Sequence, residues 1–150
     1  MNKLLNDFLF IVWFKALINK SGDKIENKLH RNSDIRNNRQ YEYFDTNIKG
    51  LITFLFNEFP KVKTLASCGG HINPNDIQKP QNEWFIGFHV YKDRWDLFEL
   101  FCRIVNEINK SLQKSSVIIK PGEYRYHFYL TGKNIEPDKF LQLLKKRRRY

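Results

Sequence analysis

The chain has 150 residues, of which 41% are apolar and 15% aromatic, and its formal charge is +10. This length fits one domain over residues 1–150 with a hydrophobic core, and the excess of Lys and Arg favours a polyanionic partner, meaning nucleic acid or an anionic surface. Only two cysteines are present, Cys68 and Cys102, which excludes a disulfide framework and favours a reducing compartment such as the cytoplasm.

The first predicted element is a helix over about residues 3–19. Its apolar positions cover more than half of the helix circumference, so we expect the helix to be largely buried or to mediate dimerisation with a second copy or another protein. The uninterrupted apolar run covers residues 8–14 and is bounded by Asp7 and Lys15. A transmembrane helix needs about 20 apolar residues, so we expect no membrane partner.

A polar, Asn-rich segment over about residues 20–43 follows and reads as a long surface excursion. The second helix is predicted to begin at Asp45, a favourable N-cap residue, and to end at Pro60. Its apolar residues recur at helical spacing between these two positions.

The remaining elements alternate strands and helices. Strands are predicted over residues 62–67 and 83–91, a third helix runs from Asp93 to about Gln113, and a hairpin turns about Pro121 and Gly122. The last helix starts at residues 136–137 and ends in the basic tail 145–150. The order α-α-β-β-α-β-β-α indicates an α+β fold, with about four strands in an antiparallel or mixed sheet covered by helices.

Each of two predicted strands carries a histidine on its mixed face. In residues 84–91, Phe85, Gly87, His89 and Tyr91 share one face; in residues 124–131, Arg125, His127, Tyr129 and Thr131 do so. If both mixed faces lie on one side of the sheet, His89 and His127 approach the end of the first strand.

The segment Ser67-Cys68-Gly69-Gly70-His71 follows that first strand. One hypothesis is nucleophilic catalysis, in which Cys68 is activated by His71, His89 or His127. Another is a backbone cradle, in which the two glycines let amide groups approach a phosphate or a cofactor, with Ser67 adding a hydroxyl. The structural alternative is a tight turn that requires glycine.

A metal site is a further alternative at the same segment. Cys68 and His71 have the C-x-x-H spacing of zinc ligands, but a closed site needs four ligands, so His89 and His127 would both be required. Because no second local pair of ligands exists, we assign no metal ligands from the sequence. Cys102 lies on the apolar stripe of the third helix and is expected in the core.

The candidate nucleic-acid-binding residues are basic residues of the hairpin and the tail. They are Arg125, Lys145, Lys146, Arg147, Arg148 and Arg149. Trp84, Phe85 and Tyr91 are candidates for stacking on bases of single-stranded RNA, with core packing as the alternative.

The stretch "NIKGLITFLFNEFPKVKTLASCGGHI" resembles the amino-terminal part of the tRNA wybutosine-synthesis methyltransferase family, where a helix leads into a strand that ends in Ser-Cys-x-Gly. The matching positions are Ser67, Cys68 and Gly70; Gly69 and His71 stand where the family has serine and arginine. The resemblance implies an RNA-modifying enzyme that uses S-adenosylmethionine. The Ser-Cys-x-Gly-His variant also resembles small uncharacterised proteins of bacteria and phages.

Two functions therefore remain open. The first is an RNA-directed enzyme-like domain related to tRNA methyltransferases, with the cofactor or a phosphate at residues 67–71. The alternative is a noncatalytic nucleic-acid-binding or protein-binding module, in which the glycine turn is structural.

Overall fold

A computed structural model of the chain describes residues 3–20, 45–75 and 78–148. It contains four α-helices and four strands in the predicted order. They are α1 (Lys3–Lys20), α2 (Lys49–Asn57), β1 (Lys63–Cys68), β2 (Glu83–His89), α3 (Trp95–Ser111), β3 (Ser116–Pro121), β4 (His127–Lys133) and α4 (Pro137–Arg148). The predicted α+β class is confirmed. The predicted excursion beyond Lys20, and Arg149 in the tail, lie outside the described residues.

The four strands form one antiparallel sheet in the order β1-β2-β4-β3. In the central pair, Ile86 lies opposite Leu130 and His89 lies opposite His127. At one edge, Cys68 lies opposite Phe85, and a register shift between Thr64 and Ala66 interrupts the pairing of β1 with β2. Because β2 and β4 are adjacent and in register, their mixed faces lie on one side of the sheet.

The other face of the sheet forms the core with the helices. Trp84, Ile86 and Phe88 of β2 and Phe128 and Leu130 of β4 are buried there, as their alternation predicts. The indole of Trp84 donates a hydrogen bond of 2.7 Å to the carbonyl of residue 135, so its polar atom is satisfied inside the core.

Helix α1 is buried only in part, which differs from the predicted arrangement in which this helix is largely buried. Phe10 and Leu17 are buried, and Asp7 contacts Arg103 of α3 through Oδ1 and Nη1 at 3.4 Å. Six large apolar side chains on the outward side are exposed instead. They are Leu4, Leu5, Phe8, Leu9, Ile11 and Val12. Within the described residues, no helix combines the length and apolarity required to cross a membrane.

Asp45 does not cap the second helix as predicted. A 3-10 turn over residues 46–48 precedes α2, and the Asp45 side chain makes no capping hydrogen bond to it. Its carboxylate instead accepts a hydrogen bond from the backbone N–H of Gly69. The second hairpin is also longer than a two-residue turn, because β3 ends at Pro121 and β4 begins at His127, and Tyr126 adopts a φ of 67° within it.

Candidate functional site

The turn after β1 places three chemically distinct side chains together. Cys68 is the last residue of β1, His71 follows three residues later, and Asp45 precedes the 3-10 turn that leads into α2. Each offers one donor atom, and the three atoms lie within 4.8 Å of one another. This group is called the Asp-Cys-His cluster below.

Hydrogen bonds hold the Asp-Cys-His cluster in place. Oδ2 of Asp45 lies 3.1 Å from Nε2 of His71 and accepts a 2.7 Å hydrogen bond from the backbone N–H of Gly69. The backbone N–H of Lys79 donates to Sγ of Cys68 at 3.3 Å. The backbone N–H of His71 donates to the carbonyl of Lys79 at 2.9 Å, so the loop folds back over the thiol, which is 4% exposed.

The two glycines of this turn are required by close packing. Gly70 has a φ of 98°, and a Cβ there would lie 2.6 Å from the carbonyl oxygen of Glu83 and 2.8 Å from that of Pro80. A Cβ on Gly69 would overlap with Oδ1 of Asn47. Protein atoms therefore fill the space on the Cβ side of both glycines, so a ligand cannot approach them from that side.

The backbone of Gly69 is engaged on both sides. Its N–H is bound by Asp45, and its carbonyl accepts a 2.9 Å hydrogen bond from Nδ2 of Asn47. A cavity of about 130 Å³ beside Gly69 is lined in part by Trp84 and Asn134. Its volume is smaller than the roughly 300 Å³ of ordinary small-molecule pockets. Ser67 lies opposite Ile86, half-buried in β1. This geometry favours the structural role of the turn.

The four predicted catalytic residues form two groups rather than one. His89 pairs with Lys63 at the start of β1, whereas Cys68 ends that strand. At about 3.3 Å per residue, the five steps between Lys63 and Cys68 span roughly 16 Å. The structure thus places Cys68 near His71, and His89 near His127. Sequence periodicity could not predict this division, because it depends on the pairing register of β1 with β2.

An aromatic strip runs along the face of the sheet opposite the hydrophobic core. It is defined by Phe85, His89, Tyr91, His127 and Tyr129. The rings of His89 and His127 lie 5.1 Å apart and those of His89 and Tyr91 5.3 Å apart, while Phe85 and Tyr129 meet edge to face at 6.0 Å. Tyr91 is 38% exposed and Tyr129 is 39% exposed, so both rings are accessible to a planar ligand.

Cationic side chains border the aromatic strip. Lys63 lies opposite His89 and Lys120 lies opposite Tyr129 in the sheet register. The guanidinium of Arg94 lies 5.2 Å from the ring centroid of Tyr91, and its Nη1 donates a 2.6 Å hydrogen bond to the carbonyl of Lys61. These contacts combine positive charge with exposed aromatic surface at one end of the sheet.

The turn before β4 extends this charged and aromatic surface. The ammonium group of Lys92 lies 5.5 Å from the ring centroid of Tyr126, and the rings of Tyr126 and His89 are 6.3 Å apart. Arg125, a predicted nucleic-acid-binding residue, is exposed in this same turn. Trp84, a predicted stacking candidate, is buried in the core and is therefore not accessible to a base.

Four of the predicted basic residues of the tail, Lys145, Lys146, Arg147 and Arg148, lie on helix α4. Arg148 packs its guanidinium 4.9 Å from the ring centroid of Phe59, and Lys145 places its ammonium 5.6 Å from that of Phe54. Lys146 and Arg147 are exposed. A surface hollow of about 410 Å³ lies among Phe54, Glu58, Lys145 and Arg148. This hollow belongs to α2 and α4, apart from the strip on the sheet.

Sequence reasoning missed two kinds of residue. Asp45 reads locally as a helix cap, and no local pattern connects it with His71. Tyr129 falls on the mixed face by alternation, but only its position beside Phe85 makes it part of an accessible aromatic surface. Cys102 is buried as predicted, and burial, followed by the nearby Glu99 carboxylate, raises the pKa of its thiol well above the ordinary value.

Comparison of the chain with protein-family models, curated proteins and solved structures finds no match.

Proposed function

We propose that the protein binds single-stranded nucleic acid, RNA in particular, along the aromatic strip and its cationic border. The observation that carries this proposal is the juxtaposition of the exposed rings of Tyr91 and Tyr129 with Lys63, Arg94 and Lys120 on the sheet face opposite the core. Stacking of a base on an aromatic side chain contributes about 1–3 kcal/mol and tolerates any base. The cations would contact the phosphates between stacked bases.

The dimensions of the strip fit a short stretch of nucleic acid. From Phe85 to Tyr91 the chain advances six residues, or about 20 Å at strand spacing. This length suits a few nucleotides of a single strand, whereas a duplex keeps its bases stacked inside the helix and offers no free base faces. We therefore expect a preference for single strands over duplexes of the same length.

Binding should be measured by fluorescence anisotropy with a labelled RNA of about 12 nucleotides, a DNA single strand and the corresponding duplex. Tyr129→Ala should weaken single-strand binding about tenfold or more, whereas Tyr129→Phe should retain it because stacking needs only the ring. Lys120→Ala should weaken binding, and Lys110→Ala, on the exposed side of α3, is the matched control. Equal affinity of wild type and Tyr129→Ala, or no preference for single strands, would overturn the proposal.

Methyl transfer from S-adenosylmethionine is a separate hypothesis that the resemblance at Ser67, Cys68 and Gly70 suggests. Equilibrium dialysis of the full chain with labelled S-adenosylmethionine tests it independently of RNA binding. The free thiols of Cys68 and Cys102 favour the cytoplasm as the place of action, because thiols persist in a reducing compartment.

We also propose that a second copy of the chain binds the outward side of α1. The six exposed apolar side chains named above include Leu4 at 76% and Phe8 at 60% exposure, and together they present on the order of 500 Å² of apolar surface. Two such surfaces packed together would bury about 1,000 Å², which reaches the lower bound of a specific interface. Sedimentation velocity over a concentration series tests this dimer.

A further inference from the structure

We propose that Asp45, Cys68 and His71 bind a divalent transition metal, with zinc the best match. The cluster combines one thiol, one imidazole and one carboxylate, and its donor atoms lie within 4.8 Å of one another. Thiolate and imidazole select zinc and related metals, whereas magnesium and calcium prefer sets made of oxygen atoms alone. The composition of the cluster therefore points to a metal of zinc-like softness.

The distances are already close to those of a metal site. Oδ2 of Asp45 and Nε2 of His71 are 3.1 Å apart. Two ligand atoms that each lie about 2.0–2.1 Å from zinc at a tetrahedral angle are about 3.3 Å apart. The sulfur of Cys68 must lie about 3.5 Å from each of them, which side-chain rotation can achieve within the observed separation.

Backbone amides already support the two anionic ligands. The N–H of Lys79 donates to Sγ of Cys68 at 3.3 Å, and the N–H of Gly69 donates to Asp45 at 2.7 Å. Outer hydrogen bonds of this kind fix the orientation of metal ligands and moderate the charge of thiolate and carboxylate groups. The loop that places Lys79 over Cys68 thus also supplies the hydrogen bonds that orient the two anionic ligands.

The cluster provides three protein ligands and access to solvent. The side chains of Asp45 and His71 are 32% and 30% exposed, respectively. A tetrahedral zinc ion held by three protein ligands keeps a fourth position for water or a bound molecule. The site therefore resembles an open zinc site more than a closed structural one, and it does not need His89 or His127.

A different use of the same atoms is a nucleophilic Cys68 activated by His71. Covalent attack requires a substrate carbon in contact with sulfur, but Sγ is covered by the loop and Cys68 is 4% exposed. A small metal ion, in contrast, needs only the space among the three donor atoms. The geometry therefore favours metal binding over thiol catalysis.

The test is a titration of the full chain, stripped with a chelator, with cobalt(II) and then with zinc(II). We expect one cobalt ion per chain, a thiolate-to-cobalt charge-transfer band and displacement of the cobalt by zinc. Cys68→Ser should abolish this band, and Asp45→Asn and His71→Ala should each weaken cobalt binding at least tenfold. Cys102→Ser, which removes the other thiol, should leave the band and the stoichiometry unchanged.

Circular dichroism must show that each variant is folded. Cys68→Ser and Asp45→Asn should fold, because each new side chain has nearly the same size and shape as the one it replaces. Cobalt binding without a thiolate band, or equal affinity in wild type and Cys68→Ser, would overturn the metal site. Rapid alkylation of Cys68 that zinc does not slow would also overturn it and would favour the nucleophilic alternative. Neither result depends on nucleic-acid binding.

Discussion

Asp45 and His71 join the start of the α2 region to the turn after β1 through a 3.1 Å contact between Oδ2 and Nε2. The same carboxylate oxygen accepts the N–H of Gly69, a buried residue. Replacing Asp45 with Ala leaves that N–H without its acceptor, so we expect the free energy of unfolding to fall by about 1–3 kcal/mol. Urea denaturation monitored by circular dichroism measures the change.

The matched control for this substitution is Glu107→Gln on α3. Glu107 makes a 3.7 Å ion pair with Lys110 between two largely exposed side chains, so its loss should change stability by no more than about 0.5 kcal/mol. If Asp45→Ala changed the free energy of unfolding as little as Glu107→Gln does, the hydrogen bond from Gly69 to Asp45 would not stabilise the packing of the turn beside α2.

Gly70 and Gly50 make opposite predictions for substitution by alanine. At Gly70 the φ is 98°, and an alanine Cβ would lie 2.6 Å from the backbone oxygen of Glu83 and 2.8 Å from that of Pro80. We expect Gly70→Ala to lower stability by about 2–5 kcal/mol. Thermal and urea unfolding measure this loss.

Gly50 lies in α2, where a Cβ would make ordinary contacts of 3.6 Å with Oδ1 of Asp138 and 3.9 Å with Cδ2 of Leu141. Because alanine favours helix more than glycine does, Gly50→Ala should raise stability by about 0.5–1 kcal/mol. A tolerated Gly70→Ala variant would contradict the close packing of the turn, whatever the result at Gly50.

Features that depend on local periodicity could be predicted from the sequence. Alternation along β2 correctly places Trp84 and Phe88 in the core, and the dipeptide Pro121-Gly122 at the end of β3 correctly marks a hairpin. Both follow from geometry within a few residues, in which successive strand side chains point to opposite faces. The α+β class follows in turn from the order of such elements.

Features that depend on distant contacts could not be predicted. Asp45 has the local signature of a helix cap, yet it binds Gly69, 24 residues away in sequence. His89 and His127 share a face with Phe85, but their distance from Cys68 depends on the pairing register of β1. The exposure of α1 depends on which elements cover it, and an apolar helix sequence alone does not specify its neighbours.

The thiol of Cys102 should react only when the protein unfolds. Burial, with a smaller contribution from Glu99, raises the pKa of the Cys102 thiol, so its reactive thiolate form is rare. In the Cys68→Ser variant we expect no reaction with Ellman's reagent in the folded state and complete reaction in urea. Rapid modification of the folded variant would contradict the burial of Cys102 in α3.

Salt dependence should reveal the cations that contact phosphates. Each neutralised phosphate contributes about 0.7 to the slope of log affinity against log salt for a single strand. Lys92→Ala and Arg94→Ala should each reduce the magnitude of that slope by about 0.7 and weaken binding for all sequences alike. Lys110→Ala should leave the slope unchanged, and a slope near zero for wild type would exclude phosphate contacts.

The outward side of α1 should mediate dimerisation through its apolar side chains. Phe8→Glu places a charge at a position that is 60% exposed in the single chain and would be buried between two copies. In a two-fold interface each substitution occurs twice, and loss of a buried Phe contact costs about 1.5–3 kcal/mol per copy, so dimer affinity should fall at least 100-fold. Sedimentation velocity over a concentration series measures this change. Ile72→Glu, at an apolar side chain that is 76% exposed outside α1, should remain dimeric; a monomeric wild type, or a dimeric Phe8→Glu variant, would remove α1 as the interface.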